Sequence, residues 1–335
     1  MRITRRRDAP RRVPRASAND AMRKVIQRTV ALLALAAAML MGGTAHAQAD
    51  PTARLVLLGT KGGPAVRADN PLPSSNVLLI DGVPFVIDTG YGVSLRMIQA
   101  KVPLQSIRYV FITHHHSDHN LEYGGLLYNA WANGLKNRVD TYGPSGMLAL
   151  DSAVWAANKF DIDTRIADEG RPDLRKLVIA HEYGEGTVLD TGPVKVTALR
   201  NKHPPIHDSF ALKFEFGGKT VVFSGDTAYF PPLADFARNA DYLVHEIMDA
   251  QGIERLVKRV PNNAQTLLDH LKASHTLAED VGRIAADAGV KHLVLTHFVP
   301  ADDTTIRDED WIRSVRKHYA GPVIVGRDLL EIPLE

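Results

Sequence analysis

There is no cysteine in the 335 residues. That excludes disulfides and thiolate metal ligands, so any metal must be held by imidazole or carboxylate. The absence is compatible with export and does not by itself require it. No apolar run is long enough to cross a bilayer comfortably; Val30 to Met41 falls short of the roughly 20 residues needed. After residue 47 there is no internal repeat, low-complexity tract or linker. The remaining length suits one large domain.

Basic charge is also scarce once the chain is divided. The formal net charge is +2, but residues 1–47 hold ten Lys/Arg and two Asp. Residues 48–335 keep 30 Lys/Arg against 36 Asp/Glu, a net of −6. Such a domain lacks the overall basic footprint of a nucleic-acid binder, so nucleic acid is not an expected partner. Residues 1–47 read as a signal peptide. Arg23, Lys24 and Arg28 precede the apolar run, and Ala45-His46-Ala47 supplies a small-x-small cleavage site. Met22 is an alternative start. The mature chain is expected to begin at Gln48, to keep no stable membrane span, and to be periplasmic or secreted.

What is present in unusual density is histidine. Tyr109 to Ile112 is an apolar run that reads as a buried strand, and His114-His115-His116-Ser117-Asp118-His119 follows it. Imidazole and carboxylate are the ligands that borderline cations such as Zn²⁺ accept. A rigid strand end can aim alternate side chains at one point, so His114 and His116 can share one metal. Asp118 and His119 lie further on and can reach a second. This H-x-H-x-D-H pattern resembles the signature of the metallo-β-lactamase superfamily. The resemblance implies an αββα sandwich of two mixed sheets flanked by helices.

Strands are expected at Arg54–Gly59, Asn76–Ile80, Phe85–Ile87, Arg138–Tyr142, Leu177–Glu182 and Val194–Leu199. Others follow at Phe210–Phe216, Thr220–Phe223, His292–Thr296 and Val323–Val325. Helices are expected at Leu95–Lys101, Leu121–Trp131, Met147–Lys159, Leu277–Ala288 and Glu309–Tyr319. Residues 161–172 read as an exposed polar excursion.

Three more polar groups stand just after apolar strands: His203, Asp226 and His297. They complete seven ligands for two divalent ions, with zinc expected. One site takes His114, His116 and His203. The other takes Asp118, His119 and His297, and Asp226 bridges them. His207 competes with His203 and is kept as a pocket residue.

The order of these groups resembles the ribonuclease Z-like branch of the superfamily, which includes exported arylsulfatase-like hydrolases. Tyr142-Gly143-Pro144-Ser145-Gly146 resembles the latter. The resemblance covers roughly residues 54–332. It implies that Asp88 supports the metal loop. It also matches His245-Glu246 and His275-Thr276 to the branch's proton-donor segment, so Glu246 would orient His275. A Gly/Pro-rich basic arm for holding tRNA is missing.

The expected enzyme is a dinuclear-metal hydrolase of a small sulfate or phosphate ester. Its metals supply hydroxide at neutral pH, Asp118 orients that hydroxide or acts as base, and His275 acts as acid. Arg67 and Lys202 are candidates for added positive charge. The alternatives are a β-lactamase or lactonase, or a ribonuclease Z-type endonuclease. The expected partner is a small anionic ester, with a homodimer as a compatible assembly.

Overall fold

Side-chain alternation along the strands decides the layers. In β1 (Ala53–Gly59), Leu55 and Leu57 enter one buried cluster, while Val56 and Leu58 enter another on the opposite face. A strand that is apolar on both faces needs cover on both. The structure, a computed structural model, describes residues 53–68, 71–260 and 262–334. The expected leader, residues 1–47, lies outside the described residues.

The first sheet takes β1, β2 (Ser75–Ile80), β3 (Val83–Ile87), β4 (Tyr109–Phe111), β5 (Val139–Gly143) and β6 (Val178–Glu182). Its helices are α1 (Val93–Gln99), α2 (Ser117–Asn120), α3 (Tyr123–Ala132), α4 (Met147–Glu169) and α5 (Leu174–Leu177). The second half supplies β7 (Gly186–Asp190), β8 (Val194–Arg200), β9 (Phe210–Phe216), β10 (Lys219–Phe223) and α6 (Pro232–Phe236). Then come β11 (Tyr242–Met248), α7 (Ala250–Lys258), α8 (Ala264–Ser274), α9 (Ala278–Ala288) and β12 (His292–Val299). The chain closes with α10 (Asp308–Val315), β13 (Val323–Val325) and β14 (Leu330–Pro333).

The sheets run β14-β1-β2-β3-β4-β5-β6 and β13-β12-β11-β10-β9-β8-β7, and both are mixed. Between them lies a core that includes Phe85, Phe111, Phe210, Phe214 and Phe223. Phe214 meets Phe111 edge to face at 5.3 Å, tying one sheet to the other. A second cluster packs α1, α3 and α4 on the outer face of the first sheet. A third packs α6, α9 and α10 on the outer face of the other. This is the expected αββα sandwich.

Several elements lie outside the expectation, β7, β11, β14 and α6 among them, and two stretches differ most. Residues 161–169 continue α4 instead of forming an excursion. Ile162 and Ile166 keep the apolar spacing, and Arg165 pairs with Asp161 and Glu169 one turn away on either side. Gly170, at φ 66°, ends the helix. The second is the α7–α8 hairpin, which the sequence pattern had left unassigned. Its own small cluster joins Ile253 and Leu271 to Met248 and Val299, with Leu256, Leu267 and Leu268 packed on it.

Candidate metal centre

The strands end together, and that brings the seven expected side chains to one place. His114, His116, His203 and Asp226 offer ligand atoms that all lie within 4.8 Å of one another. Asp118, His119, Asp226 and His297 form a second such group, so Asp226 belongs to both.

In the first group, His116 Nδ1 lies 3.0 Å from both His114 Nε2 and His203 Nε2. In the second, His119 Nε2 lies 3.3 Å from His297 Nε2 and 3.6 Å from Asp118 Oδ2. Tetrahedral nitrogens bound ~2.0 Å from one ion are roughly 3.3 Å apart, so these spacings suit a shared cation. Asp226 divides its oxygens: Oδ1 is 3.3 Å from His119, and Oδ2 is 3.1 Å from His297 and 3.9 Å from His114 and His203.

Local backbone geometry sets these directions. His297 is the extra residue at a register shift between β11 and β12, where Glu246 faces Thr296 and Ile247 faces Phe298. Its φ is 45°, an uncommon value outside glycine. The bulge re-aims the histidine out of the strand's alternation and into the cluster. Gly225, at φ 57°, precedes Asp226; a Cβ there would come within 2.5 Å of the Phe210 carbonyl oxygen.

The residues around the cluster hold the ligands in place. Asp88 accepts from Thr113 N at 2.8 Å and Thr113 Oγ1 at 3.0 Å, and its Oδ2 lies 2.7 Å from His119 Nδ1. His203 Nδ1 is 2.9 Å from the Ser274 carbonyl. Gly63 N donates to Asp118 Oδ2 at 2.8 Å.

A Beta-lactamase superfamily domain model matches residues 83–298. The chain belongs to the metallo-β-lactamase superfamily, in its ribonuclease Z-like branch. It is a metal-dependent hydrolase.

The ribonuclease Z of Mycobacterium marinum is 30% identical over 278 residues, 82% of this chain and 96% of that protein. The ribonuclease Z of Mycobacterium sp. strain KMS is 31% identical over 279 residues, 82% of this chain and 94% of that protein. Among solved structures, the short form of human tRNase Z superposes with a TM-score of 0.61 at 20% identity, covering 84% of this chain and 99% of that one. Zn²⁺-bound PqqB from Methylobacterium extorquens gives 0.60 at 16% identity, covering 83% and 99%.

These relatives overturn the expectation that nucleic acid is not a partner. Net charge averages over a whole surface, whereas phosphate contact needs only local cations, so −6 overall carries little weight.

Superfamily sites of this kind concentrate charge, and here the cluster is buried. Burial would raise Asp226, but His119 and His297 outweigh it and hold the carboxyl well below its ordinary range. Burial would likewise raise Asp118, which His119 and His297 hold far down. Burial would lower His119, yet Asp226, Asp88 and Asp118 hold it well above its usual value. Burial lowers His114, and it pulls His203 down to about 4, favouring the neutral form that ligates metal.

Next to the cluster, His275 Nδ1 lies 2.8 Å from Glu246 Oε2, and Glu246 Oε1 accepts from Thr227 N at 2.6 Å. Burial, with Asp226, pushes Glu246 well up, and burial lowers His275. The branch-derived pairing therefore exists as geometry. His275 also lines the cavity that opens onto the metal ligands.

Other expected residues are placed differently. His207 is exposed beside Arg200 and Asp208 and does not line that cavity, because Pro204 and Pro205 carry the chain outward after His203. Lys202 is exposed and is absent from the cavity wall, while Arg67 lines the rim and pairs with Asp302 at 3.7 Å. His115 turns away, its Nε2 3.4 Å from the Pro144 carbonyl.

Among the lining residues that the sequence reading missed are Lys61 and His270. The ring of His270 stands 6.3 Å from those of His116, His203 and His275. Its signal was a histidine one turn before Ser274 on a helix that had not been recognised.

Proposed function

We propose that this chain is a two-metal phosphodiesterase with RNA as its substrate class, as the names of the ribonuclease Z relatives favour. The observation that carries this reading is Asp226, whose two oxygens serve both ligand groups. A carboxylate placed so can hold two cations close enough to act on one phosphoryl centre. His114, His116 and His203 would hold one ion, Asp118, His119 and His297 the other, and zinc is the ion that imidazole and carboxylate suit. Bound there, the pair would lower the pKa of water and neutralise charge on phosphoryl oxygens.

The protein's own groups divide the remaining work. Asp118, fixed by Gly63 N, orients the attacking water. Glu246 holds Nδ1 of His275, leaving Nε2 as the end that serves the leaving oxygen. Thr227 N fixes Glu246 in turn, so the donor is positioned before substrate arrives.

A small phosphate or sulfate ester is the second reading, favoured by the largely apolar wall of the cavity. The deciding experiment offers metal-loaded protein a precursor tRNA with a 3′ trailer, bis(4-nitrophenyl) phosphate, an aryl sulfate, a lactone and a β-lactam. Cleavage of the tRNA trailer is the expected result. No phosphodiester turnover by protein with both metals bound would overturn the proposal.

A further inference from the structure

The cavity that opens onto the metal ligands holds about 420 Å³, enough for a small organic molecule. Its two ends differ in chemistry. At one end stand His116, Asp118, Asp226 and His275, with Lys61 beside them. The other end is hydrocarbon: Leu256 and Val260 from the α7 side of the hairpin, Leu267 and Leu271 from α8, and Val299 and Pro300 after β12.

Lys61 is buried, which is rare for a lysine without a task. Its backbone is pinned between two segments, with bridges to Pro73 and Phe298. Its Nζ donates to the Gly63 carbonyl, on the residue whose N–H holds Asp118. An ammonium has three donors, and one is used there. The other basic lining residue, Arg67, already faces Asp302, which Arg259 also engages at 2.9 Å. One committed cation and one available one suit a single anionic group.

We propose that this cavity binds an amphipathic anion, with its head held by Lys61 at the metal-ligand end and a ring-sized apolar body against Leu256, Val260, Leu267 and Leu271. The ligand class is an aryl or branched-alkyl ester of phosphoric acid. No Phe, Tyr, Trp, Asn or Gln lines the cavity among the described residues, and its imidazoles, His116, His270 and His275, stand at or beside the metal-ligand end, so the apolar end offers neither stacking nor edge hydrogen bonds to a nucleobase. The inference goes beyond RNA cleavage, borrowing from that reading only the phosphoryl head. A small ester would use the same metals with a different binding surface.

Calorimetry on zinc-loaded protein tests it with phenylphosphonate, methylphosphonate and adenosine 5′-monophosphate, none of which needs turnover. Phenylphosphonate is expected to bind on the order of 10–100-fold more tightly than methylphosphonate, the range that apolar complementarity provides. Leu267→Gln and Leu256→Gln should each bring the two affinities together. Lys61→Met should weaken both phosphonates by a similar factor. Equal wild-type affinities for the two phosphonates would overturn the apolar body site. A preference for adenosine monophosphate over phenylphosphonate would overturn the ligand class. Unchanged binding in Lys61→Met would overturn the role of the ammonium. If phosphodiesters are not cleaved but the phosphonate ranking holds, the phosphodiesterase reading falls and the cavity assignment stands.

Discussion

Asp88 Oδ2 lies 2.7 Å from His119 Nδ1, and the same carboxylate accepts from the backbone and hydroxyl of Thr113. Asp88 itself sits at φ 61°, just past the end of β3. The contact keeps the proton on Nδ1 and turns Nε2 towards His297 and Asp226. Asp88→Asn should keep the fold but offer a weaker acceptor and a mis-set ring. We expect zinc affinity at the Asp118–His119–His297 group to fall ~10–100-fold, the usual cost of losing such support. Competition with a chelator measures it, and affinity within two-fold of the parent would remove Asp88 from this role.

Asp226→Ala should lower metal content from near two equivalents to one or fewer, because both groups share that carboxylate. Elemental analysis of folded protein decides the matter. Two retained equivalents would mean that Asp226 does not bridge.

Much of this centre was visible in the residue order because histidines and aspartates directly follow apolar strands. The pattern named the seven side chains that the structure gathers into two groups able to hold a metal ion, and the resemblance supplied Glu246 and His275. Lys61 was invisible for the opposite reason. A single lysine in a glycine-rich loop looks solvated, and only the bridges to Pro73 and Phe298 bury it. The bulge at His297 was equally hidden, since Thr296, His297 and Phe298 read as ordinary strand end. The α7–α8 hairpin escaped because its apolar residues serve a small cluster and a cavity wall, leaving much of each helix exposed.

His245 gives a pH dependence that does not involve ligation. Burial pulls its imidazole down to about 4, and its buried Nε2 has no hydrogen-bond partner among the described residues. In the unfolded chain the value is about 6.5. The unfolded state therefore takes up the proton first, so stability is full above about pH 6.5 and declines as pH falls towards 4. At 1.36 kcal/mol per pH unit, that window amounts to about 3 kcal/mol. Metal ligands titrate nearby, so the informative quantity is the difference from His245→Gln. The variant's Tm should fall less steeply between pH 6.5 and 4. Parallel curves would show that His245 does not carry this slope.

Export separates the two substrate readings. An RNA substrate places the enzyme with RNA, whereas a small ester suits the periplasm or the medium. We propose cleavage after Ala47, from the apolar run Val30 to Met41 and the Ala45-His46-Ala47 pattern. Protein recovered from the native envelope should begin at Gln48. Intact Met1 or Met22 in the cytosol would sink the proposal and strengthen the RNA reading.

The last expectation concerns His275, held 2.8 Å from Glu246 beside the metal ligands. It lies outside both four-residue ligand groups, so His275→Ala should retain two metals and the fold. If it donates to the leaving oxygen, its loss should slow turnover ~10²–10⁴-fold where that oxygen needs a proton. A nitrophenolate leaves well unprotonated, while an alkoxide does not. Bis(4-nitrophenyl) phosphate should therefore suffer far less than a methyl or ribosyl leaving group on the same phosphoryl centre. Glu246→Gln keeps the ring near its place but replaces the carboxyl acceptor with an amide, so it should show the same leaving-group bias at smaller amplitude. Equal losses on good and poor leaving groups would make His275 a positioning residue. Loss of a metal in His275→Ala would instead make it a ligand alongside Glu246 and His297, whose ligand atoms lie within 4.8 Å of its own.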